Sequence, residues 1–310
     1  MKLLYICSPY RGIYDYLNES LIDAWSSISG IDIIIANKDD PIEQIVSEKK
    51  PEIAFLLFGR GIKAEQNILK QLKKCRKVGW FCEDPYFIYD TKKYIHDFDL
   101  VFTVEKTAVS FYEALGHQNV HYMPLGYNPN VYYPKRTSDA KYKSDVCFVG
   151  YPYPNRINII NQIIRKTDWK VTVVGGKWSN FLRNWQNYSQ LTCISHWIDP
   201  SETGYYYSNS SIVLNPHRPA NQLRIINGIS PNNRCFEIAA CDAIQLCDNR
   251  KGLEELSESL NIITYKNMDD VIIQLDQWIN STRDKNKKYP MNQAEHTFLK
   301  RINKMINLIG

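Results

Sequence analysis

Short apolar runs alternate with helix-patterned stretches along this chain, and the alternation runs through once, breaks off and starts again. The first series has strand-like runs at 3–7, 31–36, 53–58, 78–81, 100–104 and 120–123, with helical patterns at 14–29, 41–47, 63–75 and 106–115. Consecutive parallel strands must be joined by a crossover, usually a helix, so this order predicts a parallel sheet with helices on both faces. Residues 132–143 are polar, charged and contain Pro134, and read as a linker. The second series has strands at 145–150, 170–174, 192–195, 212–214 and 244–247, with helices at 158–166, 201–208, 269–280 and 294–309. The fold class expected is α/β, with two Rossmann-like domains in tandem. The first spans 1–128 and the second 129–290, and 310 residues suffice for a core in each.

Composition narrows the function classes. The net charge of +5 suits an anionic small ligand, but no basic stripe with interleaved aromatics suggests nucleic acid. Eight cysteines without a CxxC pair or a zinc-like cluster read as reduced thiols. The opening MKLLYICSPYRG is too short for a signal peptide, and no run approaches the ~20 apolar residues of a membrane span. A cytoplasmic location is therefore expected, with no integral membrane segment and the oligomeric state open. Asp39-Asp40 and Asp269-Asp270 both precede helical segments and read as helix-start charges, so neither a metal nor a cofactor is expected.

Doubly wound sheets bind ligands off the carboxyl ends of their strands, so the residues just past each strand are the candidates. Gly12 closes the loop after the first strand, and Glu83-Asp84 follow the fourth. Adjacent carboxylates there can hold ligand hydroxyls or act as a general base; Asp84-Pro85 equally suits an element stop. Gly150 and Arg156 suit an approaching diphosphate, because glycine removes the side-chain obstacle and a guanidinium forks to phosphate oxygens. An ordinary strand–turn–helix with a solvated arginine is the competing reading. Trp197, beside His196, offers a face for a base, though a structural tryptophan fits as well. His217 and Arg218 leave the strand at 212–214, and Arg224 lies further along the same loop. Ser230 and Pro231 read as N-cap and first residue of a helix carrying Asn233, Arg234 and Glu237 in its first turns. A helix amino end with free N–H groups suits a diphosphate. Glu237 can accept ribose hydroxyls, or simply pair with Arg234 at i,i+3.

The stretch NPHRPANQLRIINGISPNNRCFEIAACDAIQLCD at 215–248 resembles the second domain of the CgeB-like (spore maturation protein type) glycosyltransferases, relatives of the family-4 retaining GT-B enzymes. The likeness rests on Asn215, His217-Arg218, Gly228, Asn233-Arg234, Phe236 to Cys241 and Leu253 to Leu256. Trp80 to Pro85, Met123 to Asn128 with Tyr133-Pro134, Asp145 to Gly150 with Asn155-Arg156, and His296 to Phe298 with Arg301 fit the same family in the same order. Ile229 stands where family-4 enzymes usually carry the first of two glutamates, the second matching Glu237, and Asp242 stands where a glycine usually follows.

The resemblance implies a GT-B fold whose two domains face a central cleft, with a closing helix, about 291–310, returning to the first domain. It implies that the loop ending in Gly12 approaches the donor or acceptor, and that the His196-Trp197 loop meets the nucleobase. The function implied is sugar transfer from a nucleotide diphosphate-sugar to a glycan or other hydroxyl acceptor, of the envelope or spore surface by analogy. UDP is the first choice of nucleotide and dTDP the second. A non-catalytic nucleotide- or glycan-binding module and a sugar-nucleotide epimerase are the alternatives.

Overall fold

The computed structural model describes residues 1–182, 184–219, 226–280 and 293–310. The chain forms two compact units, one of Met1–Leu125, Ala220–Ser230 and Thr297–Gly310, the other of Gly126–Pro219 and Pro231–His296.

The first unit runs β1 (Lys2–Ile6), α1 (Ile13–Ser26), β2 (Asp32–Ala36), α2 (Ile42–Lys49), β3 (Ile53–Phe58), α3 (Lys63–Gln71), β4 (Arg76–Phe81), α4 (Ile88–Thr91), β5 (Leu100–Thr103), α5 (Lys106–Ala114) and β6 (Val120–Tyr122). Its six strands are all parallel, in the order β2-β1-β3-β4-β5-β6. All six residues of β3, IAFLLF, are buried, because helices cover both sheet faces and no residue of a central strand meets water.

The second unit runs β7 (Ser144–Val149), α6 (Pro154–Lys166), β8 (Val171–Val174), α7 (Trp178–Phe181), β9 (Leu191–Ile194), α8 (Pro200–Ser208), β10 (Ser210–Leu214), α9 (Asn233–Ala240), β11 (Gln245–Asp248), β12 (Ile262–Tyr265) and α10 (Met268–Ile279). The sheet order is β12-β11-β10-β7-β8-β9, again all parallel. This is the strand order of the dinucleotide-binding fold. The edge strand β12 is an addition to the sequence reading. Its four residues, IITY, are too few to show a period.

The closing helix α11 (Phe298–Ile309) belongs to the first unit. Phe298, Ile302, Met305 and Ile309 form its buried stripe at helical spacing. Phe298 meets Trp80 edge-on at 6.4 Å, and the Trp80 indole N–H donates to the Met123 carbonyl at 2.8 Å. Each such fully buried apolar side chain contributes about 1.5–3 kcal/mol, enough to hold a helix of this length on its sheet.

The segment read as a linker is a correction. Tyr132 is buried and stacks on Tyr207 at 6.3 Å, and the Lys135 ammonium donates to the Ser201 carbonyl at 2.6 Å. Lys135 thus reaches the first turn of α8 and Arg136 donates to the Ser208 carbonyl at its end, while most other residues of the segment stay exposed. Among the described residues no helix is long and apolar enough to cross a membrane.

Candidate functional site

In the second unit the chain turns from building one side of the sheet to the other between β7 and β10, and a crevice opens at such a switch point. Gly150 follows β7 there and Asn215 follows β10. Gly150 has φ +149°, and a Cβ on it would sit 2.8 Å from Arg234 Nη1. Next to it, a Cβ on Gly175 would come within 2.3 Å of the Gly150 carbonyl oxygen, so β7 and β8 end in mutual close approach. Glycine at both places keeps this floor open to a ligand.

Buried polar side chains aim α9 at the crevice. Gln245 and Asn215 are both fully buried, and the Asn215 amide donates to Gln245 Oε1 at 2.9 Å. Asn215 and Asn232 exchange side-chain hydrogen bonds at 3.1 and 3.2 Å. Asn232 caps the helix, its Oδ1 accepting the Cys235 N–H at 3.2 Å. Ser230 is therefore not the cap. Its hydroxyl belongs to the first unit, where it accepts the Lys106 N–H at 2.9 Å and donates to Glu105 at 3.2 Å. The N–H groups of Asn233 and Arg234, in the first turn, have no acceptor among the described residues.

His217 is a second correction. It is buried, the Asn232 N–H donates to its Nε2 at 3.2 Å, and its Nδ1 donates to Asp248 Oδ1 at 2.7 Å. Both ring nitrogens are thus taken, and the imidazole fixes the start of α9 instead of offering a polar atom to a ligand. Asp248 also accepts the Arg250 Nε at 2.8 Å. Burial opposes its charge, but the hydrogen bonds from His217 and the charge of Arg250 prevail and hold the carboxyl well below the usual range.

The three expected arginines gather around two rings. Arg156 and Arg218 lie over Tyr153, at 4.8 and 5.2 Å, and Arg156 and Arg234 lie over Phe148, at 5.3 and 5.7 Å. Their roles differ. Arg156 is buried, with Nε and Nη2 on the Pro216 carbonyl at 3.1 and 3.0 Å and Nη1 on the Tyr151 carbonyl at 3.0 Å. It braces the two loops instead of presenting its fork. Arg234 is half-buried and donates to the Val149 carbonyl at 2.9 Å; Arg218 is half-buried as well. Arg224 lies outside the described residues.

Glu237 is 2% exposed and accepts the Asn233 amide at 2.8 Å. Burial pushes its carboxyl up to about 7, despite the opposing Arg234 charge and the Asn233 hydrogen bond. His196 and Trp197 are exposed beyond the edge strand β9, two strands from the switch point. The structure does not gather them with the arginines through any hydrogen bond or ring contact among the described residues.

In the first unit Gly12 precedes α1, with its N–H on Asp15 Oδ2 at 2.8 Å. Glu83 is half-buried and accepts the Tyr14 hydroxyl at 2.7 Å. Asp84, expected beside it as a catalytic carboxylate, is a third correction. It is 3% exposed and takes hydroxyl hydrogen bonds from Thr103 at 2.8 Å, Tyr112 at 3.0 Å and Thr91 at 3.2 Å. Burial raises it to about 7 against these donors. It ties β4 to β5, α4 and α5.

Sequence reasoning missed Asp248, Gln245 and Glu105. Glu105 is buried, caps α5 through the Thr107 N–H at 3.2 Å, and accepts the N–H groups of Ile229 and Ser230 at 3.1 Å each. The backbone at Ile229, the departure from the family pattern, is thus held by a carboxylate. A glutamine inside an otherwise apolar strand was the one available signal, and it marked Gln245.

Comparison with known proteins agrees with this architecture. A family model described as glycosyl transferase-like matches residues 156–307. The spore protein CgeB of Bacillus subtilis is 30% identical over 303 residues, covering 95% of this chain and 93% of that one. Sucrose-phosphate synthase from Thermosynechococcus elongatus superposes with a TM-score of 0.70 at 11% identity, over 99% of this chain and 98% of that one. The UDP-forming trehalose-phosphate synthase from Burkholderia xenovorans does so with a TM-score of 0.65 at 9% identity, over 99% and 100%. The two parallel sheets and these neighbours show the GT-B fold, and the relative in sequence shows the family. The chain belongs to the CgeB-like glycosyltransferases.

Proposed function

We propose that this glycosyltransferase uses a UDP-sugar, holding the diphosphate at the amino end of α9 over Gly150 and the ribose on Glu237. The observation that carries this reading is the pair of N–H groups at Asn233 and Arg234 that have no acceptor among the described residues, beside the Arg234 guanidinium at a β7/β10 switch point. Transfer breaks the bond from the sugar's anomeric carbon to the diphosphate, and the electron pair leaves with the diphosphate oxygen. Arg234, Arg218 and the two N–H groups meet that charge, so the step needs no divalent ion. The acceptor hydroxyl must lose a proton. Glu83, which accepts the Tyr14 hydroxyl, is the carboxylate proposed as its base. UDP is favoured over dTDP because a structural neighbour is named as UDP-forming. The outcome proposed is retention, and the acceptor a glycan of the spore surface or envelope, as the name of the spore-protein relative suggests.

Calorimetric titration with UDP, dTDP and GDP, followed by incubation with the matching sugars, tests this. UDP should bind best, and UDP-sugar should release UDP slowly without acceptor, unaffected by a chelator. Tight binding of UDP-sugar with no release, or its conversion to another sugar nucleotide, would overturn the reading.

A further inference from the structure

A second concavity, of about 500 Å³, lies at the opposite end of the second unit's sheet. It is lined by residues at the amino ends of four strands, among them Ser144 of β7, Lys170 before β8, Ser210 of β10 and Ile244 before β11. The donor reading above uses the carboxyl ends of the same sheet, so the two places share no residue.

The amino end of a parallel sheet ordinarily serves packing, and charges found there pair with one another. Here they pair incompletely. Asp242 Oδ2 is 3.2 Å from Arg136 Nη2, and Asp145 Oδ2 is taken by the Lys170 backbone N–H at 2.8 Å. The ammonium groups of Lys143 and Lys170 are exposed, line the groove, and have no partner among the described residues. The lining sets three cations, Arg136, Lys143 and Lys170, against two carboxylates, Asp145 and Asp242, so one positive charge is left over and favours an anion.

The rest of the lining offers an aromatic wall and hydroxyls. Trp278 lies half-buried in the wall, its indole fixed by an N–H bond to the Ser211 carbonyl at 2.9 Å. Ser210 donates to the Tyr206 carbonyl at 2.6 Å, so in the Ser144–Ser210 pair, 2.9 Å apart, Ser144 is the donor. That leaves the Ser144 lone pairs to accept from a ligand hydroxyl. An anchored aromatic, hydroxyls and free ammonium groups together match a ring with an apolar face, hydroxyl edges and a carboxylate. We infer that this groove binds an acidic saccharide, of the hexuronate type, at a site separate from the donor's.

The test is calorimetric titration of the whole protein with tetragalacturonate, with maltotetraose as the neutral tetramer and inorganic phosphate as the bare anion. Tetragalacturonate should bind saturably at one site, with maltotetraose and phosphate at least tenfold weaker. K143E/K170E should weaken tetragalacturonate about tenfold or more, leaving UDP binding and the thermal midpoint unchanged. W278F should weaken it severalfold without altering any response to phosphate. The inference fails if the wild-type protein does not bind the acidic tetramer, or if the double lysine variant binds it unchanged. Maltotetraose or phosphate binding as tightly would also overturn it, since the carboxylate or the sugar ring would then play no part.

Discussion

Arg234 Nη1 stands 2.8 Å from the point a methyl group on Gly150 would occupy, while it donates to the Val149 carbonyl at 2.9 Å. The guanidinium therefore fills the space that the missing side chain leaves at the end of β7. It is held by the backbone of the strand whose turn it overlies.

Gly150→Ala should separate binding from folding. The methyl group must displace Arg234 and adopt a φ of +149°, a backbone cost of about 1–3 kcal/mol. UDP affinity should fall at least tenfold while the protein stays folded, with a lowered thermal midpoint. Calorimetry beside a thermal melt measures both. Unchanged affinity in the folded variant would remove Gly150 from the diphosphate site.

Donor binding should depend on pH through Glu237. Its carboxyl lies near 7 because burial penalises the charge. Ribose hydroxyls donate to the ionised form, so UDP should bind more tightly as pH rises from about 6 to about 8 and level off above. Glu237→Gln should abolish that slope and weaken UDP by about tenfold or more, the loss of hydrogen bonds to a charged acceptor. A 2′,3′-dideoxy nucleotide titrated across the same pH range should lose the slope with the wild-type protein too.

Asp84 gives a pH dependence of stability with a defined sign. Its folded value, about 7, is above the ordinary 3.8, so its contribution is complete below pH ~4 and is lost as pH rises to ~7. The loss is on the order of 3 kcal/mol. Asp84→Asn keeps acceptors and donors for Thr91, Thr103 and Tyr112 without the charge. Urea unfolding at pH ~4 and ~7 should show a smaller difference between the two pH values in the variant than in the wild-type protein.

Glu105→Ala should cost about 2–4 kcal/mol in urea unfolding, because it strands the N–H groups of Ile229 and Ser230 and uncaps α5. Glu105→Gln, which can still accept, should recover part of it. Equal losses in the two variants would assign the effect to packing rather than to these hydrogen bonds.

The amino-acid sequence by itself determined the two parallel sheets, the strand and helix alternation that builds them, and the family motif around α9. These are legible because an apolar period is a local property: β3 appears at 53–58 in the sequence as it does in the fold. The tertiary structure alone decided what the polar residues of that motif do. Asp84, Arg156 and His217 all read as ligand contacts, and all three are consumed inside the protein, by Thr103 and Tyr112, by Pro216, and by Asn232 with Asp248. The same holds for the cap of α9, where Ser230 and Asn232 are both eligible by type until Glu105 and Lys106, more than a hundred residues earlier in the chain, engage Ser230. A buried donor or acceptor takes whichever partner the fold brings within about 3 Å, and that partner is set by packing between distant segments.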